Sequence, residues 1–435
     1  MSGMPKRYAL VGTGSRASMY VNALIERADK ASLVALADTN AHRIGVHTAA
    51  IEAKGHPAPA AYDAADFDRL LAETKPDTVI VTSVDATHHE YILAALAAGC
   101  DVICEKPLTT TAEHAAEILE AEAKSKGTVT VTFNYRYNPL HEKVADLLRE
   151  GAIGEIISVG FDWLLDTRHG ADYFRRWHRE SANSGGLLVH KSGHHFDLVN
   201  WWLDSAPIQA FAKGRLAFYG ENGERNGHDR GYARATGDPA SAEDPFALRL
   251  DDNEGLKSMF LDAESEDGYI RDQNVFAPGV TIYDDMMSLV DYESGVTLSY
   301  RLTAYSPWEG YRVHFNGTQG RLELLVVEND HVNPAAHGPN GASLHGAEAA
   351  AEQGWYELTV HPLWTKPERI DVGEYQRKGH GGGDVRMLGV LFDGDTDPHD
   401  RSANAQDGIN ALAAGLASNA SIESGQPVVV AELFK

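Results

Sequence analysis

Cysteine is almost missing from this chain: among 435 residues there are only Cys100 and Cys104. Such a count cannot supply the disulfide framework of a small secreted domain. Read on one extended strand, the two share a face. They are expected to be small, buried, reduced side chains. With no third cysteine, no metal pair is expected. Positive charge is also scarce, with 38 Lys and Arg against 63 Asp and Glu and a net charge of −25. That excess argues against a nucleic-acid or anionic-membrane surface and leaves small molecules open. No window approaches the ~20 apolar residues of a membrane span, and Met1 to Arg7 lacks an apolar signal stretch. A soluble, cytoplasmic protein is expected, with no membrane and no nucleic-acid partner. Repeats and coiled-coil heptads are missing too. What remains is a composition 43% hydrophobic, enough for a large core. The length suggests two large domains, at roughly 100–200 residues each.

The first motif is a strand, a glycine turn and a helix. Tyr8-Ala9-Leu10-Val11 runs into Gly12-Thr13-Gly14-Ser15-Arg16-Ala17, followed by a helical pattern to about Arg27. Glycines here permit a tight turn and close approach of the backbone to a pyrophosphate, which then meets the helix N-terminus. Ala17 stands where a third glycine is common. A second strand, Ser32 to Ala37, ends at Asp38, which follows Gly14 by 24 positions. That is close to the ~20 at which a carboxylate accepts from ribose hydroxyls. A carboxylate there repels a 2′-phosphate, so NAD is favoured over NADP, while nearby Arg43 leaves NADP open.

Strand and helix patterns then alternate. Ala65–Thr74, the stretch from Glu90 to Ala98 and Thr109–Lys126 read as helices. Asp77–Thr82, Asp101–Cys104 and Val129–Phe133 read as buried strands. Repeated βα units imply a doubly wound parallel sheet. Pro107 cannot donate to a sheet and pushes Lys106 away from helical geometry. Lys106 therefore falls at the carboxyl end of its strand, where open α/β sheets collect ligands. There a lysine can hold a substrate hydroxyl or take part in proton transfer.

Together, Gly12–Ala17, the loop from Ser83 to His89, Ala97-Ala98-Gly99, Glu105-Lys106-Pro107, Phe133–Pro139 and Gly151–Ile156 resemble the Gfo/Idh/MocA family. That family takes its name from glucose-fructose oxidoreductase, inositol dehydrogenase and rhizopine catabolism. The resemblance is close over the first two hundred residues and looser beyond. It implies a Rossmann domain over 1–132, then an α/β domain over 133–435 with a large open, mostly antiparallel sheet. It also implies association as a homodimer or homotetramer through that sheet. The activity implied is NAD(P)-dependent oxidation or reduction of sugars, cyclitols and polyols. Cofactor contacts are expected from Gly12, Gly14, Ser15, Arg16, Asp38, Thr82, Ser83, His88, Glu105 and Lys106. Tyr135 and Arg136 are expected beside the substrate.

In the second domain, Gly185-Gly186-Leu187-Leu188-Val189-His190-Lys191-Ser192-Gly193-His194-His195-Phe196-Asp197 reads as one helix. His190, His194 and Asp197 then share a face. Gly193 costs about 1 kcal/mol inside a helix and suggests close packing. The segment is similar to the family's catalytic helix. On that match His194 is the general acid/base, suited by its ordinary pKa. Asp197 binds a hydroxyl or orients the site. His190 replaces the acid usual there, which changes the charge and bears on the proton route and substrate. Lys191 adds a cation of undetermined direction. Histidines four apart can also share a metal ion, but the zincin pattern needs glutamate where Lys191 stands. No metal is expected. Trp163, Tyr173, Trp177 and Trp308 could stack on a sugar, whereas Trp201 and Trp202 read as core.

Residues 219–275 are polar and aperiodic, and read as an insertion covering the site or meeting a neighbour. Strand patterns resume after Val280, with a hairpin at Glu293-Ser294-Gly295, then a loop over 333–352. Gly379-His380-Gly381-Gly382-Gly383-Asp384 precedes a helix. Similar segments in relatives lie near the substrate, which makes His380 and Asp384 candidates. The reading is an NAD-dependent dehydrogenase or reductase of a sugar, polyol or glycoside. Two alternatives remain: a glycoside-cleaving enzyme that oxidises transiently and eliminates, and a silent NAD-binding sensor.

Overall fold

The early βα alternation folds as a sheet ordered β3-β2-β1-β4-β5-β6-β15 among the described residues. In the computed structural model these are residues 4–332, 354–373 and 378–435, so the loop expected over 333–352 lies outside them. Strands β1 (Lys6–Val11), β2 (Ala31–Asp38), β3 (Ala60–Asp63), β4 (Thr78–Val81), β5 (Asp101–Cys104) and β6 (Val129–Val131) are all parallel. The two-residue β15 (Ala403–Asn404) adds an antiparallel edge. This order is that of a doubly wound sheet, with its switch point beside β1. Val79, Ile80 and Val81 are fully buried, which accounts for the unbroken apolar runs in the sequence. Helices α1 (Ala17–Ile25), α2 (Ala41–Ala53), α3 (Phe67–Thr74), α4 (His88–Ala97) and α5 (Ala112–Lys124) follow successive strands.

The chain divides into two units. The first comprises Met1–Phe133, Leu250–Arg271 and Met387–Ile409. Its core joins Leu10, Leu36, Ile80 and Ile103 to Tyr20 and Leu24 of α1, with Phe392 against Tyr8. The second comprises Asn134–Arg249, Asp272–Arg386 and Asn410–Lys435.

The second unit holds nine described strands in the order β14-β13-β12-β11-β7-β10-β9-β8-β16. They are β7 (Ile156–Asp166), β8 (Pro207–Arg215), β9 (Asp285–Tyr292), β10 (Thr297–Ser306), β11 (Glu309–Gly317), β12 (Gly320–Asn329), β13 (Trp355–Pro362), β14 (Glu368–Ile370) and β16 (Val428–Val429). Only β7 and β10 pair in parallel; the other ladders are antiparallel. Burial alternates residue by residue along β9, and along β10 as far as Leu302, as one covered face requires. On the covered face Phe161, Leu298 and Tyr300 pack with Val144 of α6 (Pro139–Arg149) and with Phe196, Val199 and Trp202. Trp201 and Trp202 are both buried, as expected of core residues. The outward positions of β9 carry Met287 and Leu289.

The segment expected as one helix over 190–197 is two: Leu187–His190 and Ser192–Leu203. At the joint the His194 N–H donates to the Lys191 carbonyl at 3.3 Å, a tighter turn than the helical repeat. The close packing expected at Gly193 is not there, because a Cβ at that position would meet nothing within 4 Å.

Candidate active site

In the first unit, β1 ends in a turn that only glycine can make. Gly12 has φ of +90°, and a Cβ there would lie 2.4 Å from the backbone nitrogen of Ser83. A Cβ on Gly14 would enter open space. The turn thus leaves room for a group to approach the backbone at the start of α1, and it fits a pyrophosphate. Thr82 fixes the turn by donating its hydroxyl to the Gly12 carbonyl at 2.6 Å. Ser83 accepts from the Thr87 hydroxyl at 2.8 Å, and Ser15 is exposed.

Asp38 sits at the carboxyl end of β2, 8% exposed. Its Oδ2 accepts from the Thr13 N–H at 2.5 Å and the Thr13 hydroxyl at 2.8 Å. Its Oδ1 accepts from the Asn40 N–H at 2.9 Å and from Arg43 at 3.3 Å. The carboxylate is therefore held in one orientation beside the glycine turn.

Lys106 follows the end of β5 and is half-buried. Its neighbours are fastened on both sides. Glu105 Oε1 accepts from Arg16 and from the Tyr20 hydroxyl, both at 2.6 Å. Burial alone would push the Glu105 carboxyl up, but Arg16, Tyr20 and Lys106 hold it below its usual range. His88 spans from the Pro107 carbonyl, 2.8 Å from Nδ1, to the Ser83 carbonyl, 3.1 Å from Nε2. Burial lowers its pKa. These contacts tie the loop after β4 to the Lys106–Pro107 turn.

The second unit assembles aromatic, imidazole and ammonium groups around Tyr135. The His194 ring stacks on Tyr135 at 4.4 Å and 15°. Lys191, only 2% exposed, donates to the Tyr135 hydroxyl at 3.0 Å and lies 5.0 Å over the Trp163 ring. Burial pushes the Tyr135 phenol well up, so it stays protonated. Trp163 stacks on Tyr311 at 4.3 Å and on His195 at 4.1 Å, which places it within the aromatic core. Asp197 is fully buried and takes Arg136 in a bidentate pair, at 2.6 and 2.9 Å. His190 lies 4.2 Å from the His178 ring and 5.6 Å from the Tyr173 ring. Trp177 stacks on His178 there at 3.4 Å.

The glycine-rich stretch reaches the Tyr135 group as well. His380 lies 5.5 Å from Tyr135 and 6.4 Å from His194, ring to ring. Its Nδ1 is 2.9 Å from Asp384 and 2.9 Å from the Asn134 amide, which also donates to Asp384 at 2.8 Å. Gly383 is needed for that approach, because a Cβ would stand 2.5 Å from the Asn134 carbonyl.

Two family models match the chain. One is described as an oxidoreductase family NAD-binding Rossmann fold, over residues 6–133; the other is its C-terminal alpha/beta domain, over 145–430. The chain belongs to the Gfo/Idh/MocA oxidoreductase family. Its first unit accordingly carries an NAD-binding Rossmann fold.

Among family relatives, the Bacillus subtilis (strain 168) protein YteT is 37% identical over 443 residues, covering 99% of each chain. Inositol 2-dehydrogenase of Acidiphilium cryptum (strain JF-5) is 36% identical over 208 residues, 48% of this chain and 57% of that one. A crystal structure of an oxidoreductase from Agrobacterium radiobacter, in complex with NAD+, L-tartaric acid and magnesium, shares the fold. Its TM-score is 0.63 at 16% identity, over 99% of this chain and 100% of that one.

Sequence reasoning did not reach several partners in this Gfo/Idh/MocA chain. The Arg136–Asp197 pair and the Lys191–Tyr135 bond join residues more than fifty positions apart. His141, which braces Tyr135 through its backbone carbonyl, carried no motif. Asn134 drew attention only as part of a motif, not as the partner of His380 and Asp384. Among the described residues, no helix is long and apolar enough to cross a membrane.

Proposed function

We propose that this chain is an NAD(H)-dependent oxidoreductase acting at a hydroxyl-bearing carbon of a sugar, polyol or glycoside. The observation that carries this reading is the His194–Tyr135–Lys191 assembly, an imidazole stacked on a phenol that a buried ammonium anchors. A rigidly held imidazole can take a hydroxyl proton and return it. The family and the relative named inositol 2-dehydrogenase support a polyhydroxylated substrate. So does a further relative, 28% identical over 246 residues, named 1,5-anhydro-D-fructose reductase, from Ensifer adhaerens.

Gly12 to Arg16, Asp38, Thr82, Ser83, His88 and Glu105 are the residues that would hold or frame the dinucleotide. When bound, its nicotinamide supplies the hydride acceptor or donor. In this reading His194 of the second unit is the group that carries a hydroxyl proton, and Lys106 of the first unit is the lysine assigned to a substrate oxygen. Asp197 fixes Arg136, and His190 and His380 read further hydroxyls. The negative charge of Asp38 favours NAD over NADP. We also propose that copies of the chain associate through the outer face of the second sheet, where Met287 and Leu289 are 48% and 50% exposed. Light scattering on Leu289→Lys tests this: the wild type should be a dimer or tetramer and the variant a monomer.

A screen of NAD and NADP reduction across aldoses, polyols, cyclitols and glycosides tests the activity. Net NAD reduction with at least one of these is expected. Product release from a glycoside with no net reduction would refute hydride transfer as the overall reaction.

A further inference from the structure

Within the first unit, a segment of the long insertion packs against the start of α2, just beyond the carboxyl end of β2. Residues 250–271 belong to this unit although they lie far from its strands in sequence. They clasp the N-terminus of α2, which begins just after Asp38. The Asn40 amide donates to the Ala263 carbonyl at 2.9 Å. The His42 N–H donates to Glu266 at 3.0 Å, and the His42 ring lies 2.9 Å from the Ser258 carbonyl. Arg43, buried, bridges Asp38 and Asp267. The short helix Glu264–Asp267 ends on that ion pair.

Arg43 is the cation beside the ribose-binding acid. A 2′-phosphate needs such a cation, and a dinucleotide without that phosphate does not. Here the guanidinium is occupied by two carboxylates, and Glu266 brings a third to the same helix end. Asp267 is itself well held. Partial burial pushes its carboxyl up, but the Tyr269 N–H, Arg43 and Asn40 bring it below its usual range. It therefore remains charged near neutral pH.

We propose that Asp267, a residue of the insertion and not of the nucleotide-binding core, is a cofactor-specificity determinant that excludes NADP by withholding Arg43. The proposal rests on the NAD reading above and assigns its selectivity to a second carboxylate besides Asp38. With Asp267 removed, Arg43 can turn to a 2′-phosphate, and one negative charge leaves the place where that phosphate would sit.

The test is equilibrium binding of NAD and NADP by calorimetry to the wild type, Asp267→Ala, Asp267→Asn and Arg43→Gln/Asp267→Ala. Wild type should bind NAD more tightly than NADP. In Asp267→Ala and Asp267→Asn the affinity for NADP relative to NAD should rise about tenfold, the effect of roughly one favourable charge pair. The double variant should return that ratio to the wild-type value. An unchanged ratio in both single variants overturns the proposal, including when both affinities fall together. A gain that survives without Arg43 overturns it too. Wild-type preference for NADP would refute the NAD reading itself, before any variant is compared.

Discussion

Acidification should weaken the second unit through one imidazole, His141. Its ring is 1% exposed. Nδ1 lies 2.8 Å from the Tyr135 carbonyl and Nε2 lies 2.6 Å from the Tyr311 hydroxyl. A neutral ring satisfies both, donating from Nδ1 and accepting at Nε2. Burial pushes its pKa down from 6.5 to about 4. In the unfolded chain the ring titrates near its ordinary value of about 6.5, so as pH falls the unfolded state binds the proton first. The stability His141 contributes is present above about pH 6.5 and is lost as the pH falls toward 4. The whole gap corresponds to about 3 kcal/mol, of which about 2 kcal/mol is gone by about pH 5. Urea unfolding of the wild type and His141→Gln at about pH 7 and about pH 5 reads this directly. The variant should be less stable at the higher pH, and its deficit should shrink by about 2 kcal/mol at the lower one. An equal deficit at both would refute the neutral buried imidazole and, with it, the brace on Tyr135.

Other outcomes follow from specific contacts. Asp197→Ala removes the bidentate carboxylate that pairs with buried Arg136 and should cost about 3–5 kcal/mol in urea unfolding, while Arg136→Met/Asp197→Leu should recover most of that loss. Gly12→Ala forces a side chain onto the Ser83 backbone at positive φ and should lower the thermal midpoint, since the conformation alone costs about 1–3 kcal/mol. Gly14→Ala, whose Cβ enters open space, should leave that midpoint unchanged and weaken NAD binding at least about tenfold by calorimetry.

The parallel sheet was legible because its strands are short, apolar and separated by helical patterns, and because β1, the glycine turn and Asp38 are local in sequence. Lys106 could be placed at a strand end from Pro107 alone. The second sheet was legible where burial alternates, as in the β9–β10 hairpin, and not at β14, which is too short to show a period. The break at Lys191 was not legible, since nothing in the residue types separates a continuous helix from one tightened at a single turn. His194 was singled out by motif. Its surroundings were not, because the stack on Tyr135 and the reach of His380 depend on how distant segments pack. The insertion gave no periodic signal, so the destination of its 250–271 segment on α2 could not be read.

The most direct test of the redox account is kcat for Lys106→Ala and His194→Ala on a substrate the wild type oxidises, with NAD affinity measured alongside. The account predicts that each variant loses about 10²–10⁴-fold in kcat while still binding NAD. Turnover retained in both would contradict it.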